Sequence, residues 1–166
     1  MNYLRYIANY IVYFLPTSKF FSMKRLALRI AGINICSDVK INGHTWFYGP
    51  GNVIIGDRTW IGPGCRFYST FGATIKIGAD CDIGPEVSFI TGSHDFGSSM
   101  RRAGQGYARD IIIGDGTWIG ARVTVLCDVT IGAGSFVAAG GVVNTNLPSN
   151  SLAAGIPAKV KRIFAG

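Results

Sequence analysis

Aliphatic residues recur at every sixth position along most of this chain, and glycine follows many of them. The longest regular stretch covers residues 113–148, and the same register appears at 55–72 and 77–94. A helix needs apolar spacings of three and four, and a β-meander needs longer strict alternation, so neither keeps this phase. The pattern therefore predicts a coil of short parallel strands. The residues that open the hexads are Ile55, Ile61, Phe67, Ile77, Ile83, Phe89, Ile113, Ile119, Val125, Ile131, Val137 and Val143.

The fifth position of each hexad is also restricted, because it holds a small or β-branched residue. We expect both restricted positions to point into the coil, and we expect the glycine to permit a corner conformation that a Cβ would obstruct. The residues at the fifth position are Thr59, Cys65, Cys81, Val87, Thr117, Val123, Val129, Ser135 and Gly141.

The six-residue phase breaks in three places. Residues 73–76 read as a four-residue insertion, and residues 35–53 are looser, which predicts an irregular first coil. The longest break runs from Ile90 to Ile112, after which the phase resumes, so this segment is predicted to be a loop extruded from the coil. Long loops on a rigid scaffold often carry function.

The first 31 residues differ in kind from the rest, because they combine apolar side chains with five basic residues and no acidic one. Pro16 predicts two short helices separated near residues 16–18, with Thr17 or Ser18 as a cap for the second. One interpretation is a helical cap on the open end of the coil or on another subunit. The other is peripheral contact with an anionic membrane, since the apolar run at 7–15 is too short to span a bilayer.

Composition fits one compact unit, with 23 glycines and 15% charged residues in 166. The net charge of +7 suits an anionic cofactor or a lipid surface, whereas the scattered basic residues show no nucleic-acid recognition module. The four cysteines are widely spaced and form no CxxC pair, which argues against a zinc knuckle and against a redox motif. No stretch resembles a secretory signal, so we expect a cytoplasmic location.

The hexads resemble those of the hexapeptide-repeat acyltransferases, whose chains wind into a left-handed parallel β-helix with three hexads per coil. The resemblance implies an all-β fold with a helical N-terminal segment at 1–31. A left-handed β-helix would cover 32–148 with the loop 90–112 extruded from it, and a closing segment would cover 149–166. About five coils would result, with open ends that need caps.

His94 lies at the root of the extruded loop, in Thr-Gly-Ser-His, and a Gly-Thr-Trp-Ile-Gly hexad follows at 116–120. In the family that this arrangement resembles, such a histidine is the general base. The implied reaction is direct transfer of an acetyl group from acetyl-CoA to a hydroxyl or amine. The backbone N–H of Ala121 matches the family position that stabilises the oxyanion. Asp95 or a backbone carbonyl would orient the ring, and Glu86 is a weaker candidate, favoured as a solvated turn residue.

The second half of the resemblance lies in residues 138–143 and 148–162. Trp118 would line the pocket near the thioester, whereas Trp60 is expected to be exposed or at an interface. Asn144-Thr145 replaces the Thr-Lys that the family often has, so one phosphate contact is expected to be missing or supplied elsewhere. By position, the backbone at Ala139 and Gly140 would contact the pantetheine arm, and the CoA phosphates would be approached by Lys159, Lys161 and Arg162.

The acceptor is the least defined part of the prediction. The segment 26–33 resembles the start of enzymes that O-acetylate sugars or surface-polysaccharide precursors, while Gly64 stands where galactoside and maltose acetyltransferases place an acceptor-binding Asn. Alternatives are an amino group of a nucleotide sugar or small molecule, and a non-catalytic scaffold. A zinc hydratase of the γ-carbonic anhydrase type needs three histidines, and this chain has only His44 and His94.

Two further expectations concern assembly and His44. The family packs three prisms side by side, which predicts a homotrimer with His94 on one wall of the groove and Trp118 on the other. For His44 a structural role is favoured over contact with the acceptor.

Overall fold

The computed structural model describes residues 3–165. Two helices, α1 (Tyr3–Phe14) and α2 (Phe21–Ile30), precede nineteen strands in this part of the chain. The strands are β1 (Asn34–Ile35), β2 (Lys40–Ile41), β3 (Trp46–Tyr48), β4 (Asn52–Ile55), β5 (Trp60–Ile61), β6 (Arg66–Tyr68), β7 (Thr74–Ile77), β8 (Asp82–Ile83), β9 (Ser88–Ile90), β10 (Gly92–Phe96), β11 (Ala103–Ala108), β12 (Ile111–Ile113), β13 (Trp118–Ile119), β14 (Thr124–Leu126), β15 (Val129–Ile131), β16 (Phe136–Val137), β17 (Val142–Val143), β18 (Ser151–Ala154) and β19 (Lys159–Ile163).

Most of these strands form the three faces of a left-handed triangular prism, which confirms the predicted fold. Face A is built in the order β1-β4-β7-β12-β15. Face B has the order β2-β5-β8-β13-β16-β18-β19, and face C has the order β3-β6-β9-β14-β17. Pairing between successive coils is parallel, and only β19 joins its face antiparallel. The chain makes five complete coils, and β18 begins a sixth.

The first residue of each hexad stacks on its counterpart in the next coil, as predicted. On face C the rings of Phe47 and Phe67 lie 4.5 Å apart between centroids, and those of Phe67 and Phe89 lie 5.1 Å apart. The fifth positions are buried beside this stack, and burial raises the pKa of the Cys65 thiol to about 12. Cys65 is therefore a protonated core residue rather than a reactive thiol.

The glycines that follow the aliphatic residues have a different purpose from the one that we expected. Backbone φ is positive two residues further on, at corner positions such as Gly64, Glu86 and Arg122. The glycine itself lies against the next coil, because a Cβ on Gly120 would sit 2.5 Å from the backbone nitrogen of Ala139. Close stacking of coils, rather than an unusual backbone conformation, requires glycine here.

Substitution Gly120→Ala is accordingly expected to lower the free energy of unfolding by about 1–3 kcal/mol or more, because the backbone of the next coil has to move. Chemical denaturation monitored by circular dichroism measures this change. Gly116→Asn is the matched control: Gly116 has φ of 65° and open space around it, and Asp80 and Asn150 adopt the same conformation at the same prism edge. Equal losses for both variants would contradict the stacking argument.

The first coil is regular, contrary to our expectation. Strands β1, β2 and β3 pair in register with β4, β5 and β6. Ile35, Ile41 and Phe47 keep the six-residue spacing, but no glycine follows them, which hid the repeat. The extra residues between the second and third coils also lie elsewhere: residues 69–73 form the turn, while Thr74–Ile77 is strand β7.

The helical segment covers the open end of the first coil, which supports the cap interpretation. The Asn9 amide donates to Phe47 O at 2.9 Å and accepts from Phe47 N at 3.0 Å, so this side chain completes the strand edge. Arg5 donates to the carbonyls of Gly49 and Gly51, and Arg29 donates to Ile35 O at 2.8 Å. These bonds satisfy carbonyls that an uncapped prism would leave open.

Two further basic residues of this segment also donate to backbone. Lys24 is fully buried and donates to the carbonyls of Pro16 and Thr17 at 2.8 and 2.7 Å, and burial lowers the pKa of its ammonium group. Arg25 donates to Val39 O at 2.8 Å. The predicted cap of α2 is wrong, because its N-cap is Phe20 with φ of 54° and no side-chain bond, while Ser18 bonds to Asn42.

Helix α1 has an inverted distribution of polarity. Its buried face carries Arg5 and Asn9, and its outward face is apolar or aromatic from Tyr3 to Phe14. Four of the five basic side chains of the segment donate to backbone carbonyls, so their main role is to satisfy these carbonyls. Among residues 3–165, no helix has the length and apolarity to cross a bilayer. Peripheral membrane contact through residues 1–31 stays a prediction.

Two hairpins project from the prism. Strands β10 and β11 pair antiparallel with a bulge between His94 and Phe96, so the predicted extruded loop has a hairpin of its own. Strands β18 and β19 form the second hairpin, which extends face B beyond the fifth coil. The first hairpin leaves the third coil and returns to the fourth, and this level is where the site is found.

Candidate active site

Three edges join the faces of the prism, and two of them carry the candidate residues. The edge between faces B and C, here the BC edge, contains the corners at 62–64, 84–86, 120–122 and 138–140. The edge between faces C and A, the CA edge, carries the hairpin β10–β11 with His94. Each candidate residue is described below by its edge or face.

His94 lies on an exposed part of the hairpin. A Cβ placed on Gly106, its cross-strand partner, would be 3.6 Å from the imidazole Cδ2 and Nε2 atoms, so the ring lies over this glycine. The ring borders an open depression of about 600 Å³ that Phe71 and Tyr107 also line. An imidazole that is reachable by solvent and backed by a rigid hairpin can accept a proton from a bound hydroxyl.

Asp95 lies in the bulge next to His94. Among residues 3–165 its carboxylate forms no hydrogen bond or ion pair with the imidazole, since successive strand residues point to opposite sides. Its role in orienting His94 is a prediction that this geometry does not support. Glu86 occupies the corner expected of a turn residue and accepts from Arg122 Nε at 2.7 Å.

At the second position of the BC-edge corners, the backbone N–H groups of Ala121 and Ala139 have no acceptor within the described residues 3–165. The carbonyl of Ala121 is used, because Gly140 N donates to it at 2.8 Å. The equivalent positions in the second and third coils are Pro63 and Pro85, which have no N–H at all. At this corner position unpaired donors therefore occur from the fourth coil onward, where an oxyanion or an amide carbonyl of a ligand can accept their hydrogen bonds.

Face B places the remaining candidates in one column. Trp118, Phe136, Leu152 and Arg162 are register partners on successive strands, and the rings of Trp118 and Phe136 stack at 4.2 Å. At about 4.8 Å per strand, Trp118 and Arg162 are roughly 14 Å apart on the same face.

The surroundings of this column suit an extended anionic ligand. Lys159, Lys161 and Arg162 are all exposed on β19, which makes the end of the column positively charged. Trp60 is half-exposed as expected and borders a shallow depression shared with Trp118. An extended ligand with an apolar end at Trp118 and phosphates at Arg162 would fit this face.

One protomer does not bring His94 together with Trp118 or Ala121. Face C, one hexad wide and roughly 15 Å across, separates the two edges. His94 and Ala121 nevertheless lie at a similar height along the prism axis, because the hairpin that carries His94 spans the third and fourth coils and Ala121 belongs to the fourth. A second prism alongside, with its CA edge against this BC edge, would place the two groups at one height.

The sequence interpretation missed a cavity of about 580 Å³ lower on the BC edge. Tyr13 from α1 and Trp46 from the first coil line it, together with His44 at a corner with φ of 61°. No signal in the sequence joins Tyr13 to His44 and Trp46, because helix α1 and the first coil meet only after folding. Within residues 3–165, no group of three or more His, Cys, Asp or Glu side chains could hold a metal ion.

Comparison with known proteins agrees with this geometry. The family model described as bacterial transferase hexapeptide (six repeats) matches residues 110–145. Galactoside O-acetyltransferase of Escherichia coli K12 is 32% identical over 126 residues, which cover 65% of this chain and 62% of that protein. The alignments with the first curated relatives cover 51–62% of their length, so the chain spans a little over half of the relatives that it matches.

Two solved structures are similar over more of the chain. A hexapeptide-repeat acetyltransferase of Vibrio cholerae, complexed with acetyl-CoA, superposes with a TM-score of 0.73 and 27% identity, covering 99% of this chain and 87% of that one. A polySia-specific acetyltransferase gives a TM-score of 0.67 and 30% identity, covering 81% and 63%.

The prism, with one hairpin extruded from it and a second hairpin closing it, is a left-handed β-helix. Residues 110–145 carry hexapeptide repeats, and the chain is similar to hexapeptide-repeat acetyltransferases.

Proposed function

We propose that the protein transfers an acetyl group from acetyl-CoA to a hydroxyl group of a sugar or surface-polysaccharide precursor. The observation that carries this proposal is the unpaired N–H of Ala121 at the level of the hairpin with His94, with the unpaired N–H of Ala139 one coil further along the same edge. The similarity to an acetyltransferase that was solved with acetyl-CoA supports the donor, and the similarity to galactoside O-acetyltransferase supports a sugar hydroxyl.

In the proposed mechanism His94 removes the proton from the acceptor hydroxyl while its oxygen attacks the thioester carbonyl. The N–H of Ala121 donates to the oxyanion that develops on that carbonyl oxygen. Collapse of the tetrahedral intermediate breaks the carbon–sulfur bond, and the imidazolium of His94 returns its proton to the leaving thiolate. The products are the acetyl ester and CoA with a free thiol.

The donor is proposed to lie along the BC edge and face B. Ala139 and Gly140 would meet the pantetheine arm through backbone, and Trp118 would pack near the thioester. Lys159, Lys161 and Arg162 would approach the phosphates, since charge-assisted contacts to phosphate are among the stronger hydrogen bonds.

The site is proposed to form between neighbouring protomers of a homotrimer, with His94 of one prism facing Trp118 and Ala121 of the next. The outer surface of face C, which separates the two edges in one protomer, supports side-by-side packing because every residue in one of its columns is aromatic or aliphatic. That column contains Tyr48, Tyr68, Ile90 and Leu126, which are register partners on successive strands.

The test is an acceptor screen with the purified chain and acetyl-CoA, using matched sugars that carry either a hydroxyl or an amino group at one position. Release of the CoA thiol, together with an ester sensitive to mild base, is the expected result. Acetylation confined to the amino sugars would replace the proposal with the N-acetyltransferase alternative. Failure to bind acetyl-CoA in calorimetry would favour the non-catalytic scaffold.

A further inference from the structure

The cavity of about 580 Å³ on the BC edge has no role in the donor site described above. It spans the first three coils, whereas the unpaired N–H groups of Ala121 and Ala139 belong to the fourth and fifth. Its corner positions Gly64 and Glu86 stack directly below Arg122 at about 4.8 Å per coil. A ligand in this cavity would therefore reach the N–H of Ala121 with one or two sugar units, roughly 10 Å away.

Aromatic rings form one wall of the cavity and hold one another in place. The Tyr13 ring meets His44 edge-on at 4.8 Å and Trp46 at 6.4 Å between centroids, and Tyr10 packs against Trp46 at 5.4 Å from the other side. Such edge-to-face pairs fix the rings without help from a ligand. Flat ring faces in an open cleft suit the C–H bonds of a sugar, and the few polar groups around them would set its orientation.

Arg66 supplies a positive charge in this cavity that no acidic group compensates. Among residues 3–165 it has no carboxylate within 4 Å, and its Nη1 atom lies 3.5 Å from the Tyr48 hydroxyl, which is a long contact. Glu86 also lines the cavity, but its carboxylate accepts from Arg122 at 2.7 Å. A guanidinium in this position can bind a carboxylate or a phosphate with two parallel hydrogen bonds.

We propose that this cavity binds the acceptor as an anionic saccharide, whose carboxylate or phosphate pairs with Arg66 while a sugar ring packs on Tyr13 and Trp46. The identification of the bound saccharide as the acceptor rests on the proposed function, whereas the binding itself does not. It also assigns α1 a second role, because the helix that caps the prism contributes Tyr13 to the cavity wall.

The experiment measures binding without acetyl-CoA, so that no turnover occurs. The labelled wild-type chain is applied to an array of defined glycans in matched sets, each presenting one saccharide as a neutral, a carboxylated and a phosphorylated form. Arg66→Gln removes the charge and Arg66→Lys keeps the charge but loses the two-pronged geometry. Lys76→Gln is the matched control, because Lys76 is an exposed cation on face A, away from the cavity.

The expected result is retention of at least one anionic glycan about tenfold or more above its neutral form, lost in Arg66→Gln and kept in Lys76→Gln. Which anionic form is retained distinguishes a carboxylate from a phosphate. Equal retention of neutral and anionic forms, retention unchanged in Arg66→Gln, or no glycan bound would each overturn the inference. Circular dichroism confirms that each variant is folded.

Failure of this inference can be told apart from failure of the proposed function. A chain that binds an anionic glycan through Arg66 but transfers no acetyl group would refute the acetyltransferase and leave the binding site intact. Acetylation of anionic and neutral sugars at equal rates, unchanged in Arg66→Gln, would refute the anionic site alone.

Discussion

Substitution His94→Ala is expected to lower kcat/KM for acetyl transfer by about 10²–10⁴-fold, the usual contribution of a positioned general base. The exposed ring lies over Gly106 on the hairpin, and its side chain makes no hydrogen bond within residues 3–165. Its removal should therefore leave the prism intact. The dissociation constant for CoA should also stay unchanged, because the proposed donor contacts lie on another edge and face.

The measurement is steady-state kinetics with the acceptor found in the screen, alongside calorimetry with CoA. Asp95→Asn is the matched control, since it removes a charge from the neighbouring residue, which has no bond to the imidazole in residues 3–165. We expect that variant to stay within about threefold of wild type, which is under 1 kcal/mol. Full activity of His94→Ala would show that another group removes the acceptor proton.

The substitution Ala121→Pro is expected to lower kcat by about 10²–10³-fold, because proline deletes the N–H proposed to stabilise the oxyanion. The fold should tolerate this change: Pro63 and Pro85 occupy the same corner position in the second and third coils, each after a glycine, as Ala121 follows Gly120. The chain itself thus provides evidence that proline fits this corner.

Ala121→Ser keeps the N–H and adds a small side chain, so it is the control for crowding at the corner. Thermal unfolding of Ala121→Pro should match that of wild type within a few degrees, which separates a lost donor from a damaged prism. If kcat were unaffected by proline, the oxyanion would have to be stabilised elsewhere.

Much of the prism could be predicted from local sequence, because each coil repeats the same requirement. Ile113 and the hexads that follow have both an inward aliphatic residue and a glycine against the next coil, and the structure confirms them. In the first coil Ile35, Ile41 and Phe47 meet only the first requirement, so their repeat was underestimated. The helical cap could be predicted as an alternative, but the bonds of Asn9 and Arg5 depend on where the chain folds back.

Part of the candidate site could be predicted from the sequence. The long break in the repeat identified the segment with His94, and the resemblance to a family identified Ala121, whose N–H has no acceptor in the described structure. The cavity with Tyr13, Trp46 and Arg66 could not be predicted, because helix α1 and two separate coils meet there only after folding.

The measurement that tests the account most directly mixes two inactive chains. His94→Ala and Ala121→Pro, carrying different tags, are co-expressed and the heterocomplexes isolated. If each site joins His94 of one protomer to Ala121 of the next, every isolated heterotrimer has one of its three sites with both groups intact, and about a third of wild-type activity should return. Heterocomplexes as inactive as either parent would contradict a shared site built around these two residues.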